Sequence, residues 1–282
     1  MAGIQTIDRQ YLTVARSMRA SRLQTIARVL LPAALPTVLY RALALRDALR
    51  RGGLTPPRRG DDVQEHRSMT QITLSFDNGP DPDVTPQVLE ILRRHDIRTT
   101  FFVLGDKLRE RRYLCERAHG EGHAIGNHTD NHLVPLGMSR AAGTSTFEIA
   151  RTQELIGDLA HERKFFRPFG GGGLLDKRLL NPEAVEVLVR GGFTCVLWNA
   201  IPEDWARPEE WVERALQQCF SQPETLIVLH DIATGAMNKL DRFLTLAKDR
   251  GASFTQEFPA SCIPIERGEI LRPIDTYLNS AD

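Results

Sequence analysis

The stretch Leu74-Ser75-Phe76-Asp77-Asn78-Gly79-Pro80 decides how the chain is read. Residues 72–76 are β-prone, and they deliver an acid, Asp77, into an Asn-Gly-Pro turn. Alone, Asp-Asn-Gly is an ordinary turn, because Asn and Gly tolerate positive φ. In α/β proteins, however, chemical groups also gather just past a strand end, where the strand is rigid and the loop can be shaped. What lies downstream decides between the two meanings.

Working outward, the chain alternates strand and helix signals. Thr85 and Pro86 read as an N-cap and first-turn proline ahead of Val88, Leu89, Ile91 and Leu92 at helical spacing. Further strands are expected over 99–103, 123–127, 165–167, 194–198, 226–230 and 252–255, with helices over 109–120, 145–159, 182–190, 208–217 and 237–249 between them. In the helix over 145–159, the expected buried set is Phe147, Ile149, Leu155, Ile156 and Leu159. About seven strands separated by helices call for a parallel sheet, either open and doubly wound or closed into a barrel. Candidate chemical groups stand at the end of almost every strand, which favours the barrel, because only a ring brings all those ends together.

The 282 residues, 41% of them hydrophobic, suffice for one large α/β core. Net charge is zero, so no bulk attraction to nucleic acid is expected. Residues 1–68 nevertheless hold twelve Arg, no Lys and five acids, a net +7 that leaves −7 on the remainder. With the Pro-, Gly- and charge-rich run over 52–67, this sets 1–68 apart as an extension and linker, dispensable or arising from an upstream start, ahead of a working domain over 69–282. The apolar patch over 29–40 is interrupted by Pro32 and Pro36 and is too short to span a bilayer as a helix. A cytoplasmic protein is expected, with membrane anchoring or export through this segment as the alternative. Cys115, Cys195, Cys219 and Cys262 form no CxxC pair and read as buried thiols in a reduced compartment.

The strand-end residues come in order. His128 and His132, four apart, face one way on a helical turn and can hold one divalent ion. Arg167 leads into Pro168, Phe169 and the glycine run 170–173; the arginine can orient a carboxylate, and the glycines admit a ligand close to the backbone. Asp204-Trp205 follows the fifth strand, where Trp205 serves as a sugar-facing wall or as loop packing. His230-Asp231 ends the sixth.

As an ordered set these residues resemble the NodB-type polysaccharide deacetylases, carbohydrate esterase family 4, over about Gln71 to Asp231. The family's TFDDGP motif looks like Ser75 to Pro80, its H-[ST]-x-x-H motif matches His128 to His132, and RPPxG is partly matched by Arg167 to Gly171. DxxDW is half matched by Asp204-Trp205, and LxH loosely by Val228-Leu229-His230. The resemblance implies a distorted (β/α)7 barrel and hydrolysis of the N-acetyl amide of an amino sugar. It implies a divalent metal, zinc first with cobalt or nickel as alternatives, on Asn78, His128 and His132. Asp77 would be the general base, fixed by Arg167; His230 would protonate the leaving amine with support from Asp204. Phe169, Gly170, Gly171 and Trp205 would meet the N-acetylated carbohydrate.

Three positions depart from the pattern. Asn78 stands where most of the family has an Asp, Phe169 replaces the second proline, and Ile201 replaces the first Asp of DxxDW. An amide oxygen can still ligate, but without charge, so weaker metal affinity is expected. An N-deformylase, a cyclic amidase, or an inactive glycan-binding barrel are the alternative readings.

Overall fold

The computed structural model of the protein describes residues 70–280. The expected extension over 1–68, with its apolar patch, lies outside the described residues.

Strand β1 (Gln71–Gly79) is buried from Ile72 to Asp77, the mark of a central strand covered on both faces. Alternation sends Ile72, Leu74 and Phe76 to one side, where they join the largest apolar cluster with Val88, Leu89, Trp211 and Phe243. Thr73, Ser75 and Asp77 face the other way, into the barrel. The helices are α1 (Val84–His95), α2 (Gly105–Gly120), α3 (Thr144–Ile156), α4 (Pro182–Arg190), α5 (Trp211–Cys219) and α6 (Leu240–Asp249). The other parallel strands are β2 (Thr100–Val103), β3 (Ala124–Asn127), β4 (Phe165–Phe166), β5 (Thr194–Cys195), β6 (Glu224–His230) and β7 (Ser253–Thr255). A short antiparallel pair, β8 (Ile265–Glu266) and β9 (Glu269–Ile270), extends the sheet beyond β5.

The path runs β6-β1-β2-β3-β4-β5-β8-β9, and β7 pairs with β1. Because β6 occupies one whole edge of β1, the other edge is shared: β7 takes Gln71 to Thr73, and β2 takes Ser75 onward. The ring closes through a single bridge. Ala200, past β5, lies parallel to Ile227, donating to Leu226 O at 3.2 Å and accepting from Val228 N at 3.1 Å. The result is the distorted (β/α)7 barrel, with the strand ends at one mouth.

Several sequence expectations shift. Strands β4 and β5 keep two residues each: beyond β4 the Arg167 carbonyl turns to His128 Nδ1 at 2.8 Å, and beyond β5 Val196 O and Leu197 O accept from Arg167 Nε and Nη2 at 3.2 and 3.3 Å. Thr85 is not the N-cap of α1. Asp81 accepts from the amides of Asp83 and Val84, both at 3.0 Å, while Thr85 donates its hydroxyl to Asp231 at 2.5 Å. Phe147 is 54% exposed rather than buried. Ile149, Ile156 and Leu159 are buried as expected, and the inner stripe of α3 is Ser145, Glu148, Ile149, Thr152 and Ile156, a helical repeat that is mostly polar. Helix α2 starts at Gly105, four residues early, and only glycine fits: a Cβ would lie 2.4 Å from Asp130 Oδ1 and 2.5 Å from Thr152 Oγ1. The four cysteines are buried and free, as expected. Among the described residues no helix is long and apolar enough to cross a membrane.

Candidate active site

Asp77 reaches the mouth of the barrel where β1 bulges between Asp77 and Gly79. Asn78 takes the left-handed conformation there, φ 69°, which asparagine tolerates better than most residues. The Asp77 carboxylate is held by Arg167, whose Nη1 donates to Oδ1 at 2.8 Å and to Ser75 Oγ at 2.7 Å. The guanidinium is entirely buried and lies 4.0 Å from the centre of the Phe102 ring. Burial alone would raise the Asp77 pKa; Arg167 first, then His128 and His230, outweigh it and leave the carboxyl below its ordinary value. Asp77 is therefore an anion at neutral pH.

His128 follows β3. Its Nδ1 lies 2.8 Å from the Arg167 carbonyl, which can only accept, so Nδ1 carries the proton and Nε2 keeps its lone pair. That lone pair lies 3.5 Å from Asp77 Oδ2. The His132 ring is 5.0 Å from that of His128 and stacks on Phe169 at 3.7 Å. Burial pulls the His128 pKa down, and burial followed by the neighbouring His128 pushes His132 down to about 3. Both imidazoles are neutral near pH 7, the form that binds a metal. Asn78 Oδ1 is buried and has no hydrogen-bond partner. Two neutral imidazoles and an orphaned amide oxygen fit a divalent cation. Among the described residues no three His, Cys, Asp or Glu side chains gather to hold a metal, consistent with an amide standing where a carboxylate would complete such a trio.

Across the cavity His230 ends β6. Its Nδ1 is 2.8 Å from Asp204 Oδ1, and its backbone amide donates to Asp204 Oδ2 at 2.9 Å. Burial opposes protonation of this ring, but Asp204, with smaller contributions from Asp77 and Asp231, carries its pKa above the ordinary value. Trp205 meets His230 edge-on at 4.7 Å. The cavity between these groups measures about 230 Å³. All eleven residues singled out in the sequence line it or hold a lining residue: Arg167 and Asp204 stand behind Asp77 and His230, and the other nine face the space.

The glycine run does more than admit a ligand. Gly173, φ 75°, sits where a Cβ would come within 2.4 Å of Ile201 Cδ1, so the turn is packed against the wall that Ile201 forms. Sequence reasoning missed Trp198 and Ile232, and noted Asp231 at the strand end without giving it a role. Trp198 lines the floor and donates Nε1–H to Gly173 O at 3.0 Å. Asp231 is buried behind the site, its pKa raised to about 7 by burial. The sequence signal for Trp198 was its position at the end of the expected strand over 194–198.

Residues 65–193 match the polysaccharide deacetylase family, and residues 1–44 match a different one, the inner membrane component of binding-protein-dependent transport systems. The chain is similar to a peptidoglycan-N-acetylglucosamine deacetylase of Bacillus cereus, 33% identical over 181 residues covering 63% of this chain and 78% of the relative. It is also 31% identical to a chitooligosaccharide deacetylase of Azorhizobium caulinodans, over 61% of this chain and 79% of the relative. Among solved structures, a peptidoglycan N-acetylglucosamine deacetylase superposes with a TM-score of 0.58 at 27% identity, covering 67% of this chain and 86% of that one. A family 4 acetyl xylan esterase from Clostridium thermocellum, in complex with a cobalt ion, gives 0.54 at 26% identity, covering 66% and 87%.

Proposed function

Because the chain belongs to the polysaccharide deacetylase family, we propose that it is a metal-dependent hydrolase that removes the acetyl group from N-acetylglucosamine residues of a glycan, peptidoglycan or chitooligosaccharide. One observation carries this reading. An ionised carboxylate beside two neutral imidazoles faces an imidazole–carboxylate pair across a cavity of about 230 Å³.

Asn78, His128 and His132 would hold the cation; zinc suits two imidazoles and an oxygen, as do cobalt and nickel. Bound there, it would supply Lewis acidity to the amide carbonyl. The chain's own groups do the rest. Asp77, kept anionic by Arg167, accepts the proton of the attacking water. Arg167 spends its other donors on Ser75, Val196 and Leu197, so the carboxylate is fixed as that proton arrives. Asp204 favours the His230 cation, and from that form the ring delivers its proton to the departing amine. Phe169, Trp198 and Trp205 exclude water around the sugar and offer it apolar faces.

The decisive experiment measures acetate release from N-acetylglucosamine oligomers by metal-stripped protein and after addition of zinc, cobalt or nickel. Turnover restored by metal is expected. Formate release from N-formyl sugars without acetate release would favour the deformylase, and no turnover with any metal would leave a glycan-binding barrel.

A further inference from the structure

The loop joining β3 to α3 carries both His128 and His132, and its backbone is unusual. Thr129 has φ 73° and His132 has φ 56°, left-handed conformations that L side chains, β-branched ones above all, adopt reluctantly. Such a conformation persists only where its surroundings over-determine it.

The surroundings include one carboxylate. Glu148, buried on the polar inner stripe of α3, accepts from the amides of Asp130 at 2.8 Å and Asn131 at 3.1 Å through Oε2, and from Asn131 Nδ2 at 2.5 Å through Oε1. These are the two residues that immediately precede His132. Asp130 is tied in turn to Arg109. His128 has a separate tether through Nδ1 to the Arg167 carbonyl, and Asn127 anchors the start of the loop by donating to Ile149 O at 2.8 Å and accepting from Thr129 N at 3.0 Å. The His128 ring is thus tethered just past β4, whereas the Asp130-Asn131 backbone is tethered to α3, which also receives Asn127.

We propose, resting on the assignment of His128 and His132 to a cation, that Glu148 is a positioning residue for cation binding: its carboxylate holds the Asp130-Asn131 backbone so that His132 meets the ion beside His128. A carboxylate is required because all three partners are donors. The substitution Glu148→Gln would turn an NH2 group toward an N–H or toward the Asn131 amide, and Glu148→Asp would leave the carboxylate a methylene short of the loop.

The test is zinc affinity by calorimetry, with cobalt absorption as a second readout, on the full chain and its variants near pH 7. Glu148→Gln is expected to raise the zinc Kd roughly 10- to 100-fold, the usual effect of losing a residue that orients a ligand. Asn131→Ala, which removes one of the three bonds to Glu148 together with the bond from the Leu133 amide to Asn131 Oδ1 at 2.9 Å, is expected to raise it less. Val212→Ala, a core change in α5, serves as the stability control and keeps wild-type affinity. In the double variant Glu148→Gln/His132→Ala, loss no greater than that of His132→Ala alone is expected, since both act through one ligand. Wild-type affinity in Glu148→Gln, loss matched by Val212→Ala at equal thermal destabilisation, or additive loss in the double variant would each overturn the inference. Wild-type affinity in His132→Ala would instead overturn the cation assignment beneath it.

Discussion

A single nitrogen of Arg167, Nη1, donates both to Asp77 Oδ1 at 2.8 Å and to Ser75 Oγ at 2.7 Å, with the guanidinium wholly out of contact with water. The base of the proposed reaction is therefore also half of a buried ion pair. From sequence alone, Asp77→Asn would be expected to stop turnover with little loss of stability. The structure changes the second half of that expectation, because removing one charge strands the other in the interior. Asp77→Asn should abolish acetate release and also destabilise the protein by about 3 kcal/mol, the lower end of the range for breaking buried pairs. Urea unfolding beside the activity assay checks both.

The His230–Asp204 pair sets a pH limit. His230 has a pKa raised above the ordinary 6.5, so its cation persists to higher pH than that of a free imidazole, and activity should fall as pH rises through that raised pKa. The same sign applies to stability: the favourable interaction is complete below the unfolded pKa and is lost as pH climbs through the folded one. Asp204→Asn removes the main raising influence and leaves burial to dominate. The alkaline limb of kcat/KM should then move to lower pH, with the acid limb, governed by other groups, staying in place. An unmoved alkaline limb would take His230 out of the role of acid.

Much of this was legible because strand ends write their chemistry into consecutive residues. Asp77, His128, Arg167 and His230 each stand at or just past an apolar run, with Asp204 in the loop after the fifth strand, and the barrel brings those ends together. The inner face of α3 was not legible. An apolar pattern search places Phe147 inward, whereas burial falls on Ser145, Glu148 and Thr152, polar residues of which Glu148 bonds to the loop above and Ser145 to Asn181 rather than to an oily core. Nor could the sequence show that Thr85 answers Asp231 instead of capping its helix, since that contact crosses 146 residues. Polar groups satisfied by distant partners carry no local period.

The wall of the cavity offers a steric test. Gly173 is held at φ 75° with Ile201 pressed where a side chain would begin, so Gly173→Ala meets both backbone strain and a clash. It should destabilise the protein by about 1–3 kcal/mol and weaken substrate binding. Ile201→Ala alone should change KM for N-acetylglucosamine oligomers more than kcat, because Ile201 lines the cavity with an apolar side chain that carries no proton. Combined with Gly173→Ala it should recover the part of the stability loss due to the clash, leaving only the conformational part. Thermal melts of the two single variants and the double variant separate these contributions.

Asn78 is where this chain departs most consequentially from its family. Its Oδ1 is buried without a hydrogen-bond partner, a desolvation cost that a bound cation would relieve. Asn78→Asp supplies a charge at the same place, and aspartate also tolerates the left-handed backbone found there. Without metal, the new carboxylate stands beside that of Asp77, and like charges at close range raise the energy of the folded state. The apo variant should therefore melt below the wild type. With zinc the order should reverse, because the extra charge strengthens ligation, and affinity should rise on the order of tenfold or more, matching about 1.4 kcal/mol or more of added binding energy. Metal content after dialysis and the zinc-induced rise in Tm give the two readouts. If apo stability falls while zinc affinity stays at the wild-type value, the side chain at position 78 does not reach the ion.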